Sequence, residues 1–193
     1  MTVTDADLLS EAQLKSHYAW APGSSLRLNI VINSSGALTG EDATSESLTN
    51  VLDRRILRIL REETDAVIIG ASSVRAEGWY LPPRGTLVVL SASGNLPWDS
   101  CPDRDRVVVV SSAEGLREWI EAHPGKLLCE GGLETAAVLA TFPGFDEMAV
   151  SVQGSDIAAA NTIVGSNAQL LQMNFQAYSA HENMTFCLWR RAA

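Results

Sequence analysis

The chain has few of the residues that build disulfide frameworks, metal centres or nucleic-acid surfaces. Its three cysteines, Cys101, Cys129 and Cys187, are odd in number and show no C-x-x-C spacing. That argues against a disulfide scaffold and a thiolate metal site, and fits reduced thiols in a cytosolic protein. The three histidines, His17, His123 and His181, are scattered with no cysteine or acidic partner in a motif, and read as surface or packing residues. Basic residues number 14 against 23 acidic ones, for a net charge of −9. A nucleic-acid surface takes its affinity largely from Lys and Arg on phosphates, so this balance leaves room only for a local basic pocket. There is no apolar run of about 18 residues, the length a membrane helix needs. The start, MTVTDADLLSEAQLKSH, is acidic and amphipathic, unlike a signal peptide. A cytoplasmic protein with no metal, membrane or nucleic-acid partner is expected. Also missing are a G-x-G-x-x-G after the first strand, a G-x-x-x-x-G-K-[ST] phosphate loop and a G-x-S-x-G nucleophile elbow.

What is present is an ordinary globular composition, 193 residues with 46% hydrophobic and 19% charged, enough chain for one domain with a sizeable core. A helical stretch over roughly 5–17 and the linker APGSS precede 26-LRLNIVIN-33, a largely buried strand. The polar loop SSGALTGEDATSES follows, and loops of that length inside a compact domain are often functional. Leu48, Val51, Leu52, Ile56, Ile59 and Leu60 then recur at helical spacing, on a helix that packs against a sheet. The RRILR run at 54–58 reads as that helix's solvated face, with an anion site as the alternative. Further strands are 66-AVIIG-70, 87-LVVLS-91, 107-VVVV-110 and 126–130, with helices after the last two. Ser111-x-x-Glu114 has the form of a capping box ahead of Leu116, Trp119 and Ile120. Strands that read as unbroken apolar runs and alternate with helices form a parallel sheet covered on both faces. The tail differs: 171-LQMNFQAY-178 alternates, 184-MTFCLW-189 is strand-like, and AHEN turns between them, predicting an antiparallel hairpin at the sheet edge. The fold class is α/β with a mixed, mostly parallel sheet. The division is an N-terminal helical extension over 1–25 and one main domain over 26–193.

Ligands of open α/β sheets bind beyond the carboxyl ends of the strands. Here those ends are Gly70-Ala71-Ser72-Ser73, Ser91-Ala92-Ser93 and Glu130-Gly131-Gly132, small residues and hydroxyls that give room and donors to a phosphate. In KLLCEGGLETAAVL a strand meets a glycine pair and leaves at once as a helix. That arrangement is either a tight turn or a phosphate seat at a helix start. A helix N-terminus supplies only about 0.3–1 kcal/mol, up to about 2 when partly buried, against roughly 8 for micromolar binding. The seat therefore needs several strand ends acting together.

Four segments, 34-SSG-36, 53-DRR-55, 69-IGASSVRAEG-78 and 130-EGG-132, resemble the signature segments of the reductase domain of bacterial riboflavin biosynthesis, in the dihydrofolate reductase-like superfamily. The resemblance runs from about residue 26 to the end and is closest to the stand-alone pyrimidine reductases. It implies a dihydrofolate reductase-like three-layer fold and an NADPH-dependent reduction, in which hydride reaches the ribose C1 of a ribosylamino-pyrimidine phosphate. It implies cofactor contacts at Gly70, Ala71, Ser72, Ser73, Val74, Ser91, Gly131, Gly132, Leu133, Glu134 and Thr135. Substrate contacts fall on Asn33, Ser34 and Arg84, and catalytic positions on Ser35 and Glu130. A homodimer through the sheet edge is implied as well. Two departures stand out: Ser35 takes the place of the family's loop Asp, and 151-SVQGSDIAAANTIVG-165 replaces its Ser/Thr-Pro-x-x-x-Gly segment. Two further readings follow, a nucleotide-binding homologue without catalysis and a dihydrofolate reductase-type activity.

Overall fold

A computed structural model describes residues 4–5, 10–42, 44–141, 144–154 and 173–191. Its secondary elements are β1 (Thr4–Asp5), α1 (Glu11–His17), β2 (Leu26–Ile32), α2 (Val51–Glu62), β3 (Ala66–Gly70), α3 (Ala71–Glu77), β4 (Thr86–Leu90), β5 (Val107–Val110), α4 (Ala113–Ala122), β6 (Leu127–Cys129), α5 (Leu133–Thr141), β7 (Glu147–Gln153), β8 (Met173–His181) and β9 (Met184–Arg191). The strands form one nine-stranded sheet in the order β1-β8-β9-β7-β2-β6-β3-β4-β5. β9 runs antiparallel to both β7 and β8, and every other neighbouring pair is parallel.

The sheet separates two apolar layers. On one side α4 and α5 bring Leu116 and Leu139 against Leu26, Leu28, Ile68 and Val150. On the other, α1 contributes Leu14, with Tyr18 just beyond it, α2 contributes Leu52, Ile56, Ile59 and Leu60, and α3 Val74, over Val67, Ile69 and Ala149. Each buried aliphatic side chain of α2 contributes about 1.5–3 kcal/mol through area removed from water. Asn50 caps α2, its Oδ1 accepting from Asp53 N at 2.9 Å.

One helix starts later than the sequence predicts, and one strand was not anticipated. The helix expected over 5–17 begins only at Glu11, because Ser10 and Gln13 form a reciprocal capping box; residues 4–5 pair with β8 instead. β7 was not anticipated. Its two faces are both buried, so it does not alternate, and it contains a fully buried acid, Glu147. Glu147 Oε2 accepts from Arg27 Nε at 2.8 Å and from Nη2, its Oε1 accepts from Ala21 N at 2.7 Å, and Arg27 Nη1 donates to Tyr18 O at 2.9 Å. The pairing removes the solvation problem that would otherwise bar a charge from a central strand. β9 pairs inward on β7, and among the described residues the hairpin extends the sheet with the two-residue β1 beyond it. Of the segment 151–165, residues 151–154 end β7 and its turn; the rest lies outside the described residues.

Candidate functional site: a cleft over the glycine pair

β6 is short. Its three residues pair with Leu26–Leu28 of β2 and with Ala66–Ile68 of β3, and both neighbours continue beyond it, to Ile32 and Gly70. The sheet therefore opens a notch where β6 ends, and Glu130-Gly131-Gly132 occupies it. Above the notch lies a cleft of about 810 Å³, floored by Asn29, Val31, Val67 and Ile69 and walled by α2 on one side and by Ser72, Ser73 and Ala76 of α3 on the other.

The two glycines differ. A Cβ on Gly131 would lie 2.5 Å from the Thr135 Cβ, and one on Gly70 2.9 Å from Thr135 Oγ1, so buried Thr135 packs both chain ends together and tolerates no side chain there. A Cβ on Gly132 meets no atom within 4 Å. Its open face borders the cleft, and α5 begins at the next residue, with its first amides free of intrahelical partners. This open face beside the free amides of a helix start leaves room for an anion.

Glu130 is held from two sides. Its amide donates to Ile68 O at 2.9 Å. Its carboxylate receives Arg61 Nε at 2.8 Å and Nη2 at 2.5 Å, and the guanidinium lies 3.6 Å over the Tyr80 ring. That bidentate pair makes Glu130 an anchor of the cleft wall.

The acid that the sequence reading left without a role is Asp53. It sits on the buried face of α2, 7% exposed, and lines the cleft. Burial pushes its carboxyl above the ordinary carboxylate range; the Ser151 hydroxyl and Arg54 pull the other way, and Glu130 and Glu46 add to the rise. Its signal in the sequence is an acidic residue one position after Leu52 and three before Ile56, on the apolar face of an amphipathic helix.

Other expected site residues are distributed as follows. Ser72, Ser73, Glu130, Gly131 and Gly132 line the cleft, while Ala71 and Val74 face the core beside it. Leu133 and Glu134 are exposed on the first turn of α5. Ser91 lies just past β4, where its Oγ accepts from Gly94 N at 3.1 Å. Asn33 Oδ1 accepts from Ser35 N, Ser35 Oγ and Ala37 N at 2.8–2.9 Å, forming a tight turn that leaves Ser34 and Ser35 in solvent off the cleft lining. The loop reaches the cleft instead through Leu38 and Thr39. Arg84 is off the cleft lining. It precedes β4, at the opposite edge of the parallel sheet, and its Nη2 donates to Glu62 O at the end of α2. Buried Cys129 and Cys187 have thiols pushed up to about 12 by desolvation, so neither is a nucleophile. Among the described residues no cluster of three or more His, Cys, Asp or Glu side chains is arranged to hold a metal ion, and no helix is long and apolar enough to cross a membrane.

A mixed, mostly parallel sheet with an antiparallel terminal hairpin and a ligand-sized cleft at a glycine pair is the dihydrofolate reductase-like fold, in the form taken by the reductase domains of riboflavin biosynthesis. The chain superposes on a pyrimidine reductase-like protein from Corynebacterium diphtheriae with a TM-score of 0.72 at 15% identity, over 96% of this chain and 100% of that one. It superposes on the riboflavin biosynthesis reductase Rib7 of Saccharomyces cerevisiae with 0.60 at 10% identity, over 88% and 90% of the two chains. A dihydrofolate reductase from Enterococcus faecalis, solved with NADP(H), matches with 0.57 at 14% identity, over 88% and 97%. No protein-family model and no curated protein sequence matches the chain.

Proposed function

We propose that the chain is an NADPH-dependent reductase of a ribosylamino-pyrimidine or related pteridine-type substrate. One observation carries the reading: a protonatable carboxyl, Asp53, lines the same cleft as the open glycine cradle. NADPH supplies a hydride when bound. Gly131, Gly132 and the opening of α5 would hold its phosphates, and Ser72 and Ser73 face the same side. The choice over NADH rests on the family resemblance and on the reductase neighbour that carries NADP(H).

The chain's own contribution is proton transfer, orientation and exclusion of water. Asp53, whose carboxyl burial raises above the ordinary carboxylate range, would be the proton donor to the substrate heteroatom that gains negative charge as the acceptor carbon is reduced. Ser151 orients that carboxyl. Asn29, on the floor, offers an amide to a ring edge. This acid takes over the part expected of the loop position now held by Ser35, whose hydroxyl is tied to Asn33 outside the cleft. General acid help of this kind is worth about 10²–10⁴ in rate.

The test is NADPH oxidation, followed by absorbance, with a ribosylamino-pyrimidine phosphate, a dihydropteridine and a simple carbonyl compound offered separately. Turnover with a heterocyclic acceptor is expected. Binding of NADPH without turnover on any acceptor would favour a non-catalytic nucleotide-binding protein.

A further inference from the structure

A second pocket, of about 390 Å³, lies at the opposite end of the sheet from the cleft and shares no lining residue with it. It opens where the linker after α1 crosses the amino ends of β2 and β7. Leu188 and Arg190 of β9 form its floor, and Ser16 and His17 of α1, Trp20 of the linker and Gln176 of β8 surround it. Gln176 falls where β8 slips register against β9, between Phe175 and Ala177, and such bulges re-aim a side chain. The linker packs over a buried ion pair. Glu147 Oε1 accepts from Ala21 N at 2.7 Å, Oε2 is bound by the Arg27 guanidinium, and Arg190 Nε lies 3.5 Å from Oε1. Two guanidiniums thus share one carboxylate, and Arg27 also lies 4.2 Å over the Trp20 ring. The surplus positive charge falls on Arg190, the more exposed of the two at 28% against 1%. Its Nη2 donates to Ala19 O at 2.9 Å, which fixes the guanidinium at the pocket. Trp20 Nε1 and Arg190 Nε are buried without a hydrogen-bond partner among the described residues, and an unmet buried donor forfeits its solvation. Burial, with Arg190 adding to it, holds His17 below the ordinary imidazole range, so at neutral pH that ring brings no charge.

We propose that this pocket is a second binding site, for a small monocarboxylate with an apolar body, held by Arg190 and by the indole N–H of Trp20. The class follows from charge and shape. One unbalanced guanidinium matches a single negative charge, and its planar fork suits a carboxylate. A phosphate dianion would bring more charge than the pocket balances. Leu188 and Pro22 offer apolar surface to the rest of the molecule. The volume sits at the small end of ligand pockets, which run from roughly 300 to 1,000 Å³.

Benzoate is the probe, titrated into the full chain by calorimetry and by proton–nitrogen NMR, where the indole resonance missing from W20F identifies Trp20. It is expected to bind with a Kd of about 1 mM or tighter, within reach of a ligand of so few atoms, and to shift the Trp20 indole resonance. Benzyl alcohol keeps the ring without the charge, and inorganic phosphate brings charge without the ring; each should bind at least about tenfold more weakly. R190Q should lose about tenfold or more, the worth of a hydrogen bond to a charged group. W20F, which removes the N–H and keeps an aromatic ring, should lose about threefold or more. R58Q, altered in the cleft, should bind benzoate as wild type does. The proposal is overturned if benzoate does not bind, if the Trp20 resonance stays still on binding, or if R190Q or W20F keeps wild-type affinity. It is overturned equally if R58Q loses affinity, or if benzyl alcohol or phosphate binds as well as benzoate. Should R190Q fail to fold, the Trp20 shift and the benzyl alcohol comparison, both made on the wild-type chain, decide the site.

Discussion

Replacing Asp53 with Asn should reduce catalysis while making the folded chain more stable at neutral pH. The side chain is 7% exposed, and burial disfavours its charged form before any other effect acts. Asn keeps the volume and can still accept from the Ser151 hydroxyl, so the change removes the titration and little else. Because the folded carboxyl titrates above its unfolded value, the native state holds its proton more tightly. Stability is therefore full below the unfolded value and is lost as pH rises through the folded one. D53N removes that loss. Urea unfolding should show wild type and variant alike near pH 3 and the variant more stable at pH 8, with each kcal/mol raising Tm by about 2–4 °C in a chain of this size. The reaction should respond oppositely. Loss of a general acid costs about 10²–10⁴ in kcat, or roughly 2.7–5.5 kcal/mol of barrier. The wild-type rate should fall as pH rises through the Asp53 titration, and the residual D53N rate should be flat over that range. A D53N enzyme with wild-type kcat, or one less stable than wild type at pH 8, would refute the role given to this residue.

Four other outcomes are expected. E147Q leaves Arg27 buried beside a neutral partner and should destabilise by about 3–5 kcal/mol in denaturant titrations, while replacing both residues with apolar ones should recover much of that loss. G131V drives a side chain into Thr135 and should lower Tm, with expression and Tm as the readout. S35D, which restores the acid of the family's loop, should leave kcat within about twofold, the scale of a solvent-exposed change, because Ser35 points away from the cleft. R84A should leave KM unchanged, since Arg84 binds the Glu62 carbonyl at the far edge of the sheet.

The parallel core was legible because buried parallel strands are continuous apolar runs: 66-AVIIG-70, 87-LVVLS-91 and 107-VVVV-110 each became a strand within a residue or two of the expected bounds. β7 was not, because its buried charge is explained by partners distant in the chain, above all Arg27, 120 positions away. The late start of α1 was available in Ser10-x-x-Gln13, a capping signal inside a pattern that otherwise looked helical from residue 5. Glycine at 131 and 132 pointed to the notch, but only the short β6 shows why a notch exists there. Asp53 needed the third dimension, since a carboxylate on a helix's apolar face becomes a site residue only when the facing floor is open.

The central claim is that the cleft over Gly132 takes the cofactor, and titration of wild type and G132V with NADPH and NADH tests it most directly. A Cβ there meets nothing within 4 Å beyond its chain neighbours, so a side chain at this position extends into the open space of the cleft. The account predicts micromolar NADPH binding by wild type, roughly 8 kcal/mol, weaker NADH binding, and at least about a tenfold loss in G132V, which is 1.4 kcal/mol or more, at unchanged Tm. Equal NADPH affinity in the two proteins, or no binding by wild type, would contradict it.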